Sequence, residues 1–562
     1  MYQVRKILPV VILALLFLSG CDKETGDLNT ADRTEQGSTE AAAAETGKQT
    51  VPAADVEKGL LRVGIDEPVE TMDVHKSTAT YSVPLNIFER LFDIRLNEDG
   101  STELVPGLAE EYSLSEDSKV YNISLRDNAF FSDGTPVKAS DVAFTFTRML
   151  ALPESVQRDF ADLILGADRV ISGESETLEG IEVLDDTHLR ITLSEPSAGY
   201  IYQTAAPSCS ILSEKCVREA GDEFGKVPEK TIGSGPYMVT EYSKTGLHFE
   251  LNPFYQLEKP SAEKVDLQVM SPAHMDQAFR EGRLDILDTS FVNPETVYSV
   301  YMSDAWKDQV VSMTCVETQY IMLNLNFRPL DDVRVRKAVQ RAVNRPKLLE
   351  ELYYGQGVLI DGIYPRGLFG FSEENQGWLT YDPEEAKRLL EEIDLEDIPR
   401  IELAASSTAG TRDLMLLDMV RQDLEAVGLP SSIVSYDADS RMYLRNEGKL
   451  MAYSGVWMAD YNDPDNFIYT FFGSREKTLR RSGNYADEKV FQRISDARTI
   501  SDEEARFAEY AALEKLLVQD EAVWIPLFST SHLYVRGSRV REFTPYWAGW
   551  SSMAFKDVVL DE

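Results

Sequence analysis

The sequence predicts an α/β protein of several domains, and three observations support that prediction. From residue 320 onward, short apolar strands alternate with amphipathic helices, which is typical of a mixed sheet covered by helices. The first third of the chain is richer in alternating strands and has few helices. A chain of 562 residues is too long for one hydrophobic core, so we expect two to four domains.

Composition and charge narrow the class of protein. Hydrophobic residues make up 43% of the chain, which is enough to bury a core. The formal net charge of −39 argues against a nucleic-acid-binding protein, because phosphate binding requires clustered lysine and arginine. This charge favours solubility and mild repulsion from anionic lipid, but it does not define a ligand.

The N-terminus has the layout of a secretory signal. A basic pair at positions 5 and 6 precedes an apolar run over residues 7–18 that is too short for a comfortable membrane span. The run ends in Leu18-Ser19-Gly20-Cys21, which resembles the lipobox of bacterial lipoproteins. The resemblance implies that residues 1–20 are a signal peptide and that Cys21 is lipidated. A free cysteine after an ordinary signal peptide is the alternative.

Residues 21–57 comprise the lipidated cysteine and a polar segment without aromatic residues, whose composition predicts a disordered tether. Three further cysteines follow. In an oxidising compartment, Cys209 and Cys216 could close a small disulfide loop and leave Cys315 unpaired. Three buried thiols are the competing interpretation, and the sequence leaves both open.

The ordered part of the chain shows regular patterns of strands and helices. Strands are predicted at 60–65, 120–125, 188–193, 238–242, 320–325, 400–404, 432–436 and 451–457, and helices at 84–91, 141–150, 333–343, 383–393, 411–427 and 503–520. Ser140 and Asp332 are predicted N-caps of the second and third of these helices. The glycine-rich segment 232–237 is predicted to be a tight turn, because it lacks the Lys-Ser/Thr of a phosphate loop.

Catalytic and metal-binding patterns are absent from the sequence. The five histidines are scattered without ligand spacing, and no G-x-S-x-G, C-x-x-C or Walker motif occurs. We therefore expect no metal, no cofactor and no enzymatic activity, with a cell-surface hydrolase as the least favoured function. An extracytoplasmic α/β protein without a catalytic signature is best interpreted as a binding protein.

The most informative segment is Gly455–Phe467, with the sequence GVWMADYNDPDNF. Asp460 follows a predicted buried strand, at a position where α/β folds often bind ligands. Taken alone, Asp460 fits a turn cap equally well, because aspartate is frequent in turns.

Several segments, taken together and in order, resemble the extracytoplasmic solute-binding proteins of peptide ABC importers, the oligopeptide- and dipeptide-binding type (family 5). The matching segments are 131–142 (FSDGTPVKASDV), 233–237 (GSGPY), 251–255 (LNPFY), Asn324 with 332–338 (DVRVRKA), and 457–464 (WMADYNDP). They cover nearly the whole chain from Leu60 onward. The resemblance implies a periplasmic-binding-protein-like type II fold, in which two lobes with mixed sheets close on a cleft.

The same resemblance implies a division of the chain. Lobe I would comprise residues 58–92, 206–312 and 521–562, and a strand-rich subdomain inserted in it would comprise 93–205. Lobe II would comprise residues 313–520. The chain would cross between lobes near residues 313 and 520, which makes these positions the expected hinge.

The resemblance also implies a ligand site. In relatives, the aspartate at the position of Asp460 pairs with the α-ammonium group of the peptide, while Trp457 and Tyr461 would offer flat walls to its side chains. Backbone groups of both lobes would bind an extended peptide as an added strand. The candidate ligand-binding residues are Asp460, Trp457, Tyr461, Val456, Thr80 and Tyr81.

Two features depart from the family pattern. Some relatives have a cysteine at the position of Met458, bonded to one near Cys315, so the resemblance implies that this disulfide is lost here. No arginine aligns with a site for the carboxyl end of the ligand, which leaves peptide length open. Asn324 and Arg334 are expected to support structure rather than ligand.

The resemblance implies a lipid-anchored, extracytoplasmic receptor on the bacterial plasma membrane. It would bind di- or oligopeptides as a monomer and deliver them to the permease of an ABC transporter, with ATP hydrolysed by subunits on the far side of the membrane. The alternative is the same fold with a different solute: a nickel chelate, a sugar or a signalling peptide.

Overall fold

The computed structural model describes residues 57–77, 81–391, 393 and 398–561. The predicted signal peptide, Cys21, the predicted tether up to residue 56 and Thr80 lie outside these residues. None of the described helices is long and apolar enough to cross a membrane.

The strands occupy the following residues: β1 Leu60–Ile65, β2 Phe92–Leu96, β3 Thr102–Pro106, β4 Ala109–Leu114, β5 Val120–Leu125, β6 Ile181–Val183, β7 His188–Thr192, β8 Tyr237–Ser243, β9 Gly246–Leu251, β10 Lys264–Val269, β11 Ile286–Asp288, β12 Val310–Thr314, β13 Glu317–Leu323, β14 Gly357–Leu359, β15 Ile401–Ser406, β16 Ser431–Tyr436, β17 Ala452–Met458, β18 Trp524–Arg536, β19 Val540–Phe543 and β20 Val558–Leu560.

The α-helices occupy the following residues: α1 Pro84–Ile87, α2 Ala139–Ala151, α3 Ala167–Ile171, α4 Tyr200–Gln203, α5 Glu214–Ala220, α6 Pro272–Arg280, α7 Pro294–Thr296, α8 Val333–Ala342, α9 Arg345–Tyr353, α10 Pro383–Glu391, α11 Thr411–Ala426, α12 Ala438–Asn446, α13 Asp465–Phe472, α14 Arg475–Arg480, α15 Glu488–Ala497 and α16 Glu503–Lys515.

Two four-stranded sheets lie in the N-terminal half of the chain. One has the order β1-β10-β9-β8, with β1 parallel to β10 and the other pairs antiparallel. The other has the order β4-β5-β7-β6 and is entirely antiparallel, beside the β2-β3 hairpin. The second sheet and the hairpin belong to the segment predicted to be inserted, and they account for its alternating sequence pattern.

Most of the remaining strands form one eight-stranded mixed sheet. Its main path is β11-β18-β13-β17-β15-β16, and β12 and β14 also pair with β18. β15 is parallel to β16 and to β17, whereas β13 is antiparallel to both of its neighbours. Because β18 runs for 13 residues, it pairs at one end with β11 and β12 and at the other with β13.

Apolar side chains pack into separate clusters around these sheets. Leu61, Phe249 and Phe555 belong to the cluster on the β1-β10-β9-β8 sheet, and a second cluster joins the mixed sheet to the helices packed on it. The largest cluster runs from the β4-β5-β7-β6 sheet to α13 and β18. At its centre, Tyr320 stacks on the buried Trp524 with 4.6 Å between ring centres.

Most predicted elements are present within a few residues of their predicted bounds, but two details are wrong. The helix predicted at 84–91 ends at Ile87, because Phe88 adopts an extended backbone with φ −124° and ψ 149°. The helix predicted to begin after Ser140 begins at Ala139 instead. Its first turn is closed by the Asp141 carboxylate, which accepts a hydrogen bond from the Lys138 N–H at 2.9 Å.

The predicted cap of α8 is confirmed. Asp332 Oδ1 accepts a hydrogen bond from the Arg334 N–H at 2.8 Å, which satisfies one of the free donors at the start of the helix. The cysteine alternatives are also resolved: Cys209, Cys216 and Cys315 are free and buried, so the structure has three buried thiols rather than a loop closed by a disulfide.

Candidate functional site

A cavity of about 1240 Å³, hereafter cavity A, opens between several segments of the described chain. One wall comes from residues 156–163 of the predicted insertion, and the opposite wall from β17 and from residues within 460–481. Tyr81 and Trp550 close a third side, with 5.2 Å between their ring centres. A cleft of this size can enclose a ligand of several residues.

Strand β17 enters cavity A with one of its edges open. It pairs with β13 along its whole length, but its pairing with β15 is confined to Leu403↔Ala452 within the described residues. At the point where the two strands separate, Arg441 Nη2 donates a hydrogen bond to the Ser454 carbonyl at 3.2 Å. Beyond Ser454, backbone groups on this edge are available to pair with an extended ligand.

Asp460 lies two residues beyond the end of β17 and lines cavity A. Its Oδ2 accepts a hydrogen bond from Asn466 Nδ2 at 3.0 Å, and its N–H donates to Asn466 Oδ1 at 3.1 Å. Desolvation raises the pKa of Asp460, and the hydrogen bond from Asn466 offsets this in part. The positive charge of Arg481 also acts to lower this pKa, but no basic side chain of the described residues lies within ion-pair distance of Asp460.

Trp457 is held by the same asparagine. Its Nε1 donates to Asn466 Oδ1 at 3.2 Å, which fixes the plane of the indole along the wall of cavity A. Asn466 lies in the first turn of α13, so the start of one helix orients both predicted ligand-binding residues.

Buried ion pairs hold the loop that carries Asp460 in place. Arg506 Nη2 lies 2.7 Å from Asp463 Oδ2, and Arg498 Nε lies 3.2 Å from Asp465 Oδ2. Arg498 also reaches Glu195 at 3.2 Å, which ties the loop to the predicted insertion. Asp463 Oδ1 in addition accepts the Asp465 N–H at 2.9 Å. These contacts give Asp463 and Asp465 a structural role, whereas the side-chain contact of Asp460 is the single hydrogen bond from Asn466 among those described.

The remaining predicted site residues divide into three groups. Tyr461 and Tyr81 line cavity A. Val456 has a 52% exposed side chain that is not among the described lining of cavity A, so only its backbone on the open edge of β17 is positioned for a ligand. Thr80 lies outside the described residues.

Asn324 and Arg334 have structural contacts, as expected. The buried Asn324 donates to the carbonyls of Gly448 and Leu450. Arg334 lies 2.6 Å from Asp332 at the start of α8.

A smaller cavity of about 440 Å³, hereafter cavity B, is lined by Met458, Cys315 and Glu317, and Trp550 lies in the lining of both cavities. Burial raises the pKa of the Cys315 thiol to about 12, so this side chain is a neutral donor, with its sulfur 3.4 Å from the Gly549 carbonyl. Among the described residues, no group of three or more His, Cys, Asp or Glu side chains is placed to hold a metal ion.

The basic residues of cavity A were not predicted. Arg445, Lys477 and Arg481 line it together with the acidic Asp159 and Asp162. Burial and the neighbouring Asp159 raise the pKa of Asp162 to about 6. In the sequence these residues are scattered among many charged surface positions, and no motif distinguishes them. Only the folding of the insertion against α13 and α14 brings them together.

Comparison with known proteins gives consistent results over most of the chain. The family profile described as bacterial extracellular solute-binding proteins, family 5, matches residues 103–478, more than half of the chain. The dipeptide-binding protein of Escherichia coli K12 is 27% identical over 462 residues, which cover 78% of this chain and 83% of that protein.

Two further similarities also extend over most of the chain. The di/tripeptide-binding protein 2 of Pseudomonas aeruginosa UCBPP-PA14 is 27% identical over 500 residues, covering 84% of this chain and 90% of that protein. The solved structure of HbpA2 from Haemophilus parasuis superimposes with a TM-score of 0.77 at 21% identity, covering 90% of this chain and 100% of that one. This similarity confirms the predicted α/β type II fold with two lobes around a cleft.

Proposed function

The chain belongs to the bacterial extracellular solute-binding proteins of family 5, and from that premise we propose that it is a receptor that binds di- or oligopeptides in cavity A and delivers them to an ABC permease. The named relatives are dipeptide- and di/tripeptide-binding proteins. Family membership supports a binding protein rather than an enzyme, acting outside the cytoplasm.

One observation carries the assignment of a peptide: the desolvated carboxylate of Asp460, which has no ion-pair partner in the described residues, at the end of a strand with an open edge. An extended peptide added to β17 would pair its backbone with this edge. Its α-ammonium group, taken out of water, would require a fixed carboxylate, and Asp460 is oriented by Asn466 before any ligand arrives. Trp457, Tyr461 and Tyr81 would cover the flanking side chains without reading their identity.

The finer parts of the proposal concern anchoring, lobes and transport. The sequence Leu18-Ser19-Gly20-Cys21 supports attachment to the plasma membrane by a lipid on Cys21. Lobe I (58–92, 206–312 and 521–562), the insertion (93–205) and lobe II (313–520) would close on the ligand as a monomer. The closed form would then be recognised by the permease, with ATP hydrolysed by other subunits.

Calorimetry with a pool of synthetic di- to pentapeptides tests the ligand class. We expect wild type to bind, and Asp460→Ala to bind at least about tenfold more weakly, because an ammonium group would be buried without its partner. N-terminal acetylation of the peptides should cause a similar loss in wild type and little further loss in the variant.

Glu447→Gln serves as a matched control, since Glu447 also lines cavity A but is paired with Lys449 at 3.5 Å. Equal peptide affinity of wild type and Asp460→Ala would remove Asp460 from the amine-binding role. Undiminished binding of acetylated peptides would point to another solute, and mass spectrometry of ligand co-purified with the full chain would identify it.

A further inference from the structure

Strands β15 and β17 begin as neighbours and then separate, although both continue. They are parallel, and within the described residues their pairing is confined to Leu403↔Ala452. β15 nevertheless runs on to Ser406, and β17 runs on to Met458. Each strand therefore has backbone groups beyond this pair that could extend the ladder, and exposed strand edges readily pair with one another.

The side chain of Arg441 bridges the two strands at the point where they separate. Its Nη2 donates to the Ser454 carbonyl of β17 at 3.2 Å, and its Nε makes a longer bond of 3.5 Å to the Ala404 carbonyl of β15. Its guanidinium carbon lies 5.3 Å from the ring centre of Tyr453. One planar group thus satisfies a carbonyl on each strand, where hydrogen bonds between the strands would otherwise continue.

Arg441 makes these bonds without an acidic partner. Within the described part of the chain, no carboxylate lies within ion-pair distance of it, although burial lowers its pKa. Arg400, which immediately precedes β15, provides a contrast: it donates to the Ser431 carbonyl at 2.8 Å and also reaches Glu425 at 3.8 Å. The position of Arg441 is therefore set by the carbonyls of the two strands and by the ring beneath it.

The Ser454 carbonyl shows which backbone groups of β17 face the gap. Successive residues of a strand direct their N–H and C=O groups alternately to its two sides. Since Ser454 faces the gap, Val456 and Met458 face it too, while Gly455 and Trp457 face β13. The groups of Val456 and Met458 are the ones that the proposed function requires for pairing with an extended peptide.

We propose that Arg441 is a positioning residue: it holds β15 and β17 apart and thereby keeps the backbone groups of Val456 and Met458 free for the ligand. The use of this edge by a ligand rests on the proposed function, whereas the separation of the strands does not. Without the guanidinium, the carbonyls of Ala404 and Ser454 would lose their donors, and further pairing between the strands would replace them.

Hydrogen exchange of the ligand-free full chain, followed by mass spectrometry over fragments that cover residues 452–460, tests the separation directly. Arg441→Met removes the donors but keeps a long side chain. It should slow exchange of the Val456 and Met458 amides at least about tenfold, because new strand pairing would protect them. Arg441→Lys should be intermediate, since it keeps the charge but not the fork. Arg400→Met should exchange as wild type.

Calorimetry with the synthetic di- to pentapeptides measures the consequence for binding. Each peptide is compared with forms that are N-methylated at one backbone position and so lack one backbone donor. In wild type, methylation of at least one position should weaken binding about tenfold. Arg441→Met should bind the unmethylated peptide at least about tenfold more weakly and should no longer distinguish the two forms, whereas Arg400→Met should behave as wild type.

Unchanged exchange of the Val456 and Met458 amides in Arg441→Met overturns the inference. A variant that binds more weakly but still discriminates against N-methylated peptides also overturns it, because a general loss of structure would have that effect. Failure of wild type to bind any peptide overturns the proposed function instead and leaves the exchange result standing. Thermal unfolding verifies the fold of each variant, and if Arg441→Met does not fold, the same two measurements on Arg441→Lys decide.

Discussion

Asn466 shows how one uncharged side chain prepares a charged site. Its amide oxygen accepts from the Asp460 N–H and from Trp457 Nε1, while its amide nitrogen donates to the Asp460 carboxylate. The three bonds fix a carboxylate and an aromatic wall together, before ligand arrives. Preorganisation of this kind reduces the ordering cost of binding.

His532 is the residue from which we expect a pH-dependent stability. Its Nε2 lies 2.6 Å from Asp288 Oδ1, and its Nδ1 lies 3.1 Å from the Gly549 carbonyl. Because both partners are acceptors, both ring nitrogens donate and the imidazole is protonated. Burial lowers the pKa of His532, but the hydrogen bond and charge of Asp288 outweigh it, so the pKa is raised.

A group whose pKa is raised on folding stabilises the protein below its unfolded pKa, about 6.5 for histidine, and loses that contribution as pH rises through the folded value. His532→Gln should therefore lower the free energy of unfolding more at about pH 6 than at about pH 9. Denaturant unfolding at both values measures the difference, with the exposed His274→Gln as control. An equal loss at the two pH values would contradict the protonated state.

At the scale of elements, β17 serves two purposes at once. Its full ladder with β13 fixes it in the core, while its early separation from β15 leaves an edge for ligand. Gly455 allows the close pairing of β17 with β13, because a Cβ at that position would lie 2.6 Å from the ring of Tyr320, its cross-strand partner. Tyr320 is buried against Trp524 and cannot turn away.

Gly455→Ala should consequently destabilise the protein by about 1–3 kcal/mol, the usual cost of overpacking a core. Chemical denaturation of the free protein measures it. The neighbouring Ser454→Ala, whose backbone contact to Arg441 is retained, should have little effect. Similar free energies of unfolding for Gly455→Ala and Ser454→Ala would contradict this prediction and would show that the Tyr320 ring moves aside for the added Cβ.

At the scale of the whole molecule, β18 links the parts that we propose to move. It pairs with β11 of predicted lobe I, with β12 at the border between the two predicted lobes, and with β13 of predicted lobe II. A continuous strand allows the lobes to rotate about it without breaking the sheet, which is the behaviour expected of hinge closure.

Small-angle scattering tests this motion. Saturating peptide should reduce the radius of gyration of wild type, because closure on the ligand makes the molecule more compact. Asp460→Ala at the same peptide concentration should remain at the value of the free protein. An unchanged radius of gyration in wild type, with binding verified by calorimetry, would exclude lobe closure as the response to ligand.

The sequence by itself determined the α/β class, most strands and helices and the cap at Asp332, because these follow from periodicity and turn chemistry. The candidate role of Asp460 remains a prediction that the resemblance to the family implies. The tertiary structure alone decided three other features. It left Cys209, Cys216 and Cys315 as free thiols, it directed the Val456 side chain away from the described lining of cavity A, and it brought Arg481 beside Trp457. Such features depend on which distant segments meet, and the pattern of one segment does not contain that information.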